Sequence, residues 1–463
     1  MLRRCRCARA LAACLLAGRE RLFAADLIEP CFAQARLPDA ERPLASEIIF
    51  GSLRQQAALH TLAARHCTLP AGRLSPVVTA LLHVGIYQLI WLDRVPAYAA
   101  ISSTVDAARQ LGQLRSASLI NAILRSVQRS ILTLRRPYTQ QHLLDGSHLI
   151  IDAGQLCHVE HPLADPTNPA MLLERLCGVP AWLVGQWIRT AGIEQTCRTA
   201  LHAVGRPSLS LRPTDTLPED LAERMADFAV GLPEPHVHPA GRTLLLPPGT
   251  PLPAPLLDGT IAQPQDATAA GVVPRMACEP GEWIVDLCAG AGTKTLQLAR
   301  EVGPDGRIIA CDSSPARLAR LEQQIAARGI GNVAVCSPAQ LPALLQDRLV
   351  DQVLVDAPCS NAGVLSRRPE ARERLTHAHI RSLGRTQAAL LAQAAAMVRP
   401  GGQIAYSTCS LCHDENEKVV QHAAATLPLV IVAQWLTWPE PAADAWQDGG
   451  YLAILRKPDH DPA

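Results

Sequence analysis

Aromatic residues are scarce in this 463-residue chain, at 3%. That excludes a broad surface built for base stacking. Excess charge is also lacking: 43 Lys and Arg against 42 Asp and Glu leave a formal net charge of +1. Any polyanion must therefore be held by local basic patches rather than by a global field. Only one C-x-x-C occurs, Cys409 to Cys412, with no second pair at ligand spacing, so a structural zinc site and other metal centres are not expected. Long apolar runs are missing too. The most apolar stretch, residues 77–92, carries His83 and Gln88 and suits the centre of a helical bundle better than a membrane. The apolar run at residues 10–17 is short and meets Arg19 and Arg21 without a cleavage site, which reads as an amphipathic helix rather than a secretory signal. No internal repeat or low-complexity segment is present.

What is there is a chain long enough for two or three cores. It is 48% hydrophobic and 18% charged, with fifteen cysteines in no regular framework. That cysteine usage points to a reducing, cytoplasmic setting. Up to about residue 135 apolar residues recur at helical spacing, predicting an all-α bundle of six or seven helices. Residues 136–180, with "ADPTNPA" in the middle, read as a linker. Residues 181–258 combine a helical stretch with short strands such as "SLSLRP" and "RTLLLPP", a small α+β module.

From residue 259 to 463 the rhythm is strand, turn, helix, repeated: "EWIVDLCAGAG", "RIIACDSSP", "NVAVCSPAQ", "VDQVLVDAPCS" and "GGQIAYSTCS". This predicts a doubly wound α/β domain, Rossmann-like, with its ligands at the carboxyl ends of the strands. "DLCAGAGTKT", residues 286–295, runs a strand through a turn bearing Gly290 and Gly292 into a helix. Such a turn lets a ligand approach the backbone closely. The following strand ends in Asp312, placed to accept hydrogen bonds from ribose hydroxyls. The pattern is not G-x-G-x-x-G, and no basic residue is placed for a pyrophosphate. A nucleoside cofactor without phosphates, S-adenosylmethionine, fits best. Candidate cofactor contacts are Cys288, Ala289, Gly290, Ala291, Gly292, Thr293, Lys294, Asp312, Ser337 and Asp356, while Asp286 either joins them or only caps the turn.

Cys359 and Cys409 each follow a strand of this sheet, so both thiols should face one crevice. Methyl transfer to carbon 5 of a pyrimidine explains such a pair. That carbon is a poor nucleophile until a thiolate adds to carbon 6, and a second thiol can assist when the first is expelled. Asp356 is placed to hydrogen-bond or protonate the ring nitrogen.

At these motifs the chain resembles bacterial 16S rRNA cytosine-5 methyltransferases of the RsmB (Sun) type, over nearly its whole length. "HVGIYQLIW" and "LINAILR" resemble the family's NusB-like RNA-binding domain, and "PAWLVGQW" and "RPSLSLRP" its middle module. "QPQDATA" resembles its entry to the catalytic domain, which "DAPCSNAGVLSRRPEAR", "YSTCS" with "ENE" and "DGGYLAILRK" complete. The resemblance implies that Cys409 is the nucleophile and Cys359 aids product release. It also implies that Asp312 binds the ribose and Asp356 sits between cofactor and base. Three departures stand out: Ala291 and Thr293 where the family commonly has proline and glycine, Ser337 near the place of an acid, and Asn361-Ala362 for Gly-Thr.

A base in duplex RNA is stacked, so the target must be unpaired or flipped out. Arg125, Arg129, Arg135 and Arg136, and Arg367, Arg368 and Arg372, are the candidate phosphate contacts. The expected partner is 16S rRNA, free or early in assembly, met by a monomer without membrane or metal. Three other readings are an RNA-binding assembly factor whose cofactor site has drifted, a cytosine-5 methyltransferase acting on another RNA and, last, a small-molecule methyltransferase, which needs neither the helical domain nor two cysteines.

Overall fold

The computed structural model describes residues 5–18, 24–69, 73–214, 218–228, 233–253, 256 and 261–459. The chain forms two compact units. The first is Met1–Arg206 with Leu365–Glu373, and the second is Pro207–Val364 with Arg374–Ala463.

The first unit is helical up to Ser130, with seven α-helices among the described residues. The helix Pro76–Trp91 is its centre. Ser75 caps it, accepting the Val78 N–H at 3.3 Å, and Pro76 occupies the first turn, where its missing N–H costs nothing. Its side chains are buried on all sides, because the helices Ala8–Ala17, Arg42–Arg54, Ala97–Gln110 and Ala117–Ser130 all pack against it. Two of its polar side chains are paired across the bundle: Gln88 donates to Thr104 Oγ1 at 3.1 Å and accepts from Arg9 at 2.9 Å, and Tyr87 donates to Glu47 at 2.8 Å. Among the described residues no helix is long and apolar enough to cross a membrane.

Residues 136–180, read above as a linker, are structured. Strands β1 (Ile131–Pro137), β2 (His148–Asp152) and β3 (Gln155–Val159) form an antiparallel sheet in the order β1-β3-β2, and the helix Pro169–Cys177 follows. The reason is a tight hairpin. "HLIID" and "QLCHV" flank a turn in which the Gly154 N–H donates to Asp152 Oδ1 at 2.9 Å, and Leu149, Ile150, Leu156 and Cys157 bury their side chains. The next helix, Ala181–Val204, packs on the helix Pro169–Cys177 and on β2 and lies in the first unit.

The second unit opens with a four-stranded antiparallel sheet, β4 (Leu209–Pro213), β5 (His236–Val237), β6 (Leu244–Leu246) and β7 (Ala262–Pro264), in the order β5-β6-β4-β7. The helix Pro218–Phe228 covers it, burying Leu221 and Met225 against Leu211, Leu244 and Leu246.

Seven strands then build the main sheet: β8 (Trp283–Asp286), β9 (Arg307–Cys311), β10 (Val333–Cys336), β11 (Val350–Asp356), β12 (Val398–Thr408), β13 (Val430–Thr437) and β14 (Gly450–Arg456). Their order is β10-β9-β8-β11-β12-β14-β13, with the first five parallel and β14 antiparallel to both neighbours. Alternate residues feed two cores. Val285, Ile309, Val353, Val355 and Ile404 face the helices His377–Met397 and Glu417–Thr426, while Ile284, Ile308, Leu354 and Ala405 face the helix Thr293–Glu301. Burial on both faces is why these strands read as nearly continuous apolar runs. The strand order reverses between β8 and β11, which opens a crevice at their carboxyl ends.

Candidate active site

The carboxyl ends of the five parallel strands β8 to β12 carry the candidate residues. From β8 the chain enters the turn 287–292, where Gly290 and Gly292 have φ of +57° and +89°. Gly292 caps the helix Thr293–Glu301, and a Cβ there would lie 2.2 Å from Leu321 Cδ1. The two positions that require a left-handed backbone have therefore kept glycine, and the departures at Ala291 and Thr293 fall between and after them. Gln324 holds the turn from outside, donating to the Ala291 carbonyl at 2.9 Å. Asp286 lies at the base of the turn and accepts from Thr295 Oγ1 at 2.7 Å. Burial pushes its carboxyl up to about 7, against the opposing pull of the Thr295 hydrogen bond.

At the end of β9, Asp312 Oδ2 accepts the Gly290 N–H at 2.9 Å and Oδ1 accepts the Ser314 N–H at 2.8 Å. Each oxygen keeps a second lone pair. Ser337, at the end of β10, gives both its N–H and its hydroxyl to Gln340 Oε1, at 2.9 and 2.8 Å.

From the helix Thr293–Glu301, Lys294 reaches across to the end of β11, its Nζ 2.6 Å from Asp356 Oδ2. Burial alone would lower the Lys294 ammonium, but the charge and hydrogen bond of Asp356 outweigh it and raise it. The pair is thus a fixed, partly buried proton-bearing link.

Both cysteines lie just beyond. Cys359 Sγ is 3.2 Å from Cys409 Sγ, and Cys409 also donates to Asn361 Oδ1 at 3.2 Å. Asn361 has φ of +61°, a conformation that asparagine tolerates better than most residues and that glycine adopts freely, which accounts for its standing where the family commonly has glycine. The hydrogen bond to Cys409, followed by burial, raises the Cys359 thiol well above its ordinary value. Gly363 ties the two loops together: its N–H donates to the Cys409 carbonyl at 2.9 Å, and a Cβ there would come within 2.5 Å of the Gly449 carbonyl oxygen.

Cys409, Asp356 and Lys294 line one pocket together with Asp266, Arg275 and Trp435. Arg275 stacks over Trp435 with 5.5 Å between guanidinium and ring centroid. These last two were not singled out in the sequence, where they lie 160 residues apart and neither belongs to a motif. A larger cavity of about 590 Å³, beside Arg212, Arg300 and Arg328 in the same unit, holds neither thiol. Size does not locate the chemistry here.

Of the arginines, Arg125 and Arg129 stand exposed one turn apart on the helix Ala117–Ser130. Arg135 is committed to Asp93 and Gln155. Arg367 is half-buried, and Arg368 is exposed, 4.0 Å from Glu370. Arg372 is a correction to the sequence reading. It is buried, and its guanidinium donates to the carbonyls of Cys177, Leu365, Pro369 and Ala203, so it fastens the first unit instead of meeting a phosphate.

The family pattern of 16S rRNA methyltransferase RsmB/F matches residues 274–447, and that of the NusB family matches residues 3–129. A ribosomal RNA small subunit methyltransferase B from Erwinia tasmaniensis is 30% identical over 435 residues, 92% of either chain. The chain belongs to the ribosomal RNA small subunit methyltransferase B family. A probable member of this family from Synechocystis is 29% identical over 83% of this chain and 81% of its own. Among solved structures, a methyltransferase homolog protein from Pyrococcus horikoshii superposes with a TM-score of 0.53 at 22% identity, covering 64% of this chain and all of the other. NSun6 from the same organism superposes at 0.51 with 20% identity, over 61% and 99%. These two likenesses bear on the fold of the catalytic part.

Proposed function

We propose that the protein transfers a methyl group from S-adenosylmethionine to carbon 5 of a cytosine in small-subunit rRNA, through a covalent cysteine adduct. The observation that carries this is the thiol pair, 3.2 Å apart, of which Cys409 lines one pocket with the Lys294–Asp356 link. Family membership supports the substrate class, since the relatives are named for small-subunit rRNA.

The residues present fit the methyl donor. The Gly290-Gly292 turn presents bare left-handed backbone at the start of the helix Thr293–Glu301, which a nucleoside can approach closely, and Asp312 has acceptor capacity for both ribose hydroxyls. Asp312 and the turn would hold the nucleoside, with Lys294 and Asp356 at its reactive end. The structure of NSun6 with SFG, an S-adenosylmethionine analogue, agrees with that choice. Bound there, the donor supplies an electrophilic sulfonium methyl group.

The chain's own residues do the rest. Cys409, as thiolate, adds to carbon 6 of a cytosine taken out of its stack, which turns carbon 5 into an enamine carbon able to attack. As the thiolate adds, N3 takes up a proton passed through Asp356, whose carboxyl group Lys294 holds in place, so that charge does not build up on the ring. Arg275 and Trp435 wall the pocket and can stack on a base at low entropic cost. After transfer a water molecule takes the proton from carbon 5, the freed electron pair re-forms the carbon 5–carbon 6 double bond and expels Cys409 as thiolate, and Cys359 donates a hydrogen bond to that leaving sulfur. Arg125 and Arg129 supply phosphate contacts on the helical domain.

The test is to incubate the full-length protein with methyl-labelled S-adenosylmethionine and unmodified small-subunit rRNA, with tRNA and DNA alongside, and digest to nucleosides. Labelled 5-methylcytidine from rRNA alone is expected. Label from tRNA only would move the substrate. No label in any of them, from protein that is folded, would favour an RNA-binding assembly factor.

A further inference from the structure

We propose that Glu415 is a positioning residue that clamps the two cysteine loops in register through Ser360 and Ser410. Each of these serines directly follows a cysteine, Cys359 and Cys409. Glu415 is fully buried, and its carboxylate collects four donors. Oε1 accepts the Ser360 N–H at 2.8 Å and Gln387 Nε2 at 3.2 Å; Oε2 accepts Ser360 Oγ at 2.5 Å and Ser410 Oγ at 2.6 Å. The two serine hydroxyls lie 3.1 Å apart. Gln387 donates to the Pro358 carbonyl as well, at 2.9 Å, so the residues on both sides of Cys359 are held.

Glu415 is itself held. Tyr406, buried on β12, donates to its carbonyl at 2.5 Å. Asn416 donates to the Ser410 carbonyl at 2.9 Å and accepts from Thr408 Oγ1 at 2.6 Å. The anchor is therefore rigid at backbone and side chain alike.

A role in the chemistry follows from where the ladder stops. Strands β11 and β12 are paired up to Asp356 and Ser407, with one last bond from the Ala357 N–H to the Ser407 carbonyl at 2.8 Å. The cysteines lie beyond it, where strand pairing no longer fixes their separation. An apolar side chain would pack that space without desolvating a carboxylate, which is costly unless every lone pair is satisfied. Here one carboxylate bridges both loops one residue past each thiol. Thiols free to drift by about 1 Å would lose roughly 100-fold in a reaction that needs both at one ring.

The clamp stands on geometry alone; its consequence for turnover rests on the function proposed above. The experiment therefore has two readouts on the full-length protein and its Glu415→Gln, Ser360→Ala and Ser410→Ala variants. In the first, diamide takes two hydrogens from a thiol pair, becoming the hydrazine as the disulfide forms, and peptide mapping follows the Cys359–Cys409 bond. The wild type is expected to form it readily and Glu415→Gln about 10-fold more slowly, with each serine variant between. Cys311 and Cys336, buried on neighbouring strands, report general loosening and should stay reduced in all. In the second, kcat for rRNA methylation should fall at least ~10-fold while KM for RNA and for S-adenosylmethionine hold within about twofold. An unchanged disulfide rate in Glu415→Gln overturns the clamp, as does slowing accompanied by oxidation of Cys311 and Cys336. A slowed disulfide in a protein without methyl transfer upholds the clamp and refutes the reading of function. Should Glu415→Gln not fold, the serine variants decide the matter by the same rates.

Discussion

Cys359 and Cys409 are separated by fifty residues of sequence and 3.2 Å of space. The hydrogen bond between them, followed by burial, raises the Cys359 thiol well above its ordinary value, and in the proposed mechanism Cys409 is the sulfur that attacks. Cys409→Ala should therefore abolish both methylation and any protein–RNA adduct resolved on a denaturing gel. Cys359→Ala should retain attack and accumulate the adduct. The reverse pattern would exchange the two roles.

Asp312 carries the cofactor reading. Its carboxylate already organises Gly290 and Ser314, and hydrogen bonds to charged groups contribute about 1.5–3 kcal/mol. Asp312→Ala should weaken S-adenosylmethionine binding by roughly 10- to 100-fold in calorimetric titration, with RNA affinity unchanged.

Asp286 predicts a pH dependence of stability. Its carboxyl is pushed up from 3.8 to about 7 in the folded protein, so between those values the native state holds a proton that the unfolded chain releases. Its contribution is fully present below about pH 4 and is lost as the pH rises through 7. Asp286→Asn cannot ionise, and its amide oxygen still accepts from Thr295. In urea unfolding the variant should gain on the wild type by a few kcal/mol between pH 4 and pH 7.5, at about 1.4 kcal/mol for each tenfold difference in acidity between the folded and unfolded carboxyl. A constant difference across that range would contradict the buried acid.

Two kinds of arginine should separate cleanly. Arg372→Met strands four backbone carbonyls in a buried site and should cost about 3 kcal/mol or more. Arg125→Gln with Arg129→Gln should leave stability within about 0.5 kcal/mol. That pair should instead lower the salt slope of RNA binding by roughly 0.7 for each charge removed.

The convergence of the two cysteines was legible because neighbouring parallel strands end on the same side, so two strand-end motifs must share a crevice. Asp312 was legible for the same reason. The fate of Arg372 was not: inside "SRRPEARER" it reads as a solvated basic run, and its burial is decided largely by the carbonyls of Cys177 and Ala203, far back in the chain. The hairpin of β2 and β3 was hidden by the proline-rich stretch after it, although its alternation was present. Glu415 stood in the recognised "ENE" triplet without a role. Its meaning lies in two loops whose hydroxyls meet only after the sheet has formed.

The division of the chain bears on how the protein is made. Leu365–Glu373, which includes Arg372, belongs to the first unit, so that unit is discontinuous in sequence. A ribosome adding ~5–20 residues per second delivers this piece roughly 10–30 s after Arg206 has been added. Until then the carbonyls of Cys177 and Ala203 wait without their guanidinium partner, and a fragment ending at Arg206 never acquires it. Maturation of the first unit is thereby timed by synthesis of the cysteine motif in the second.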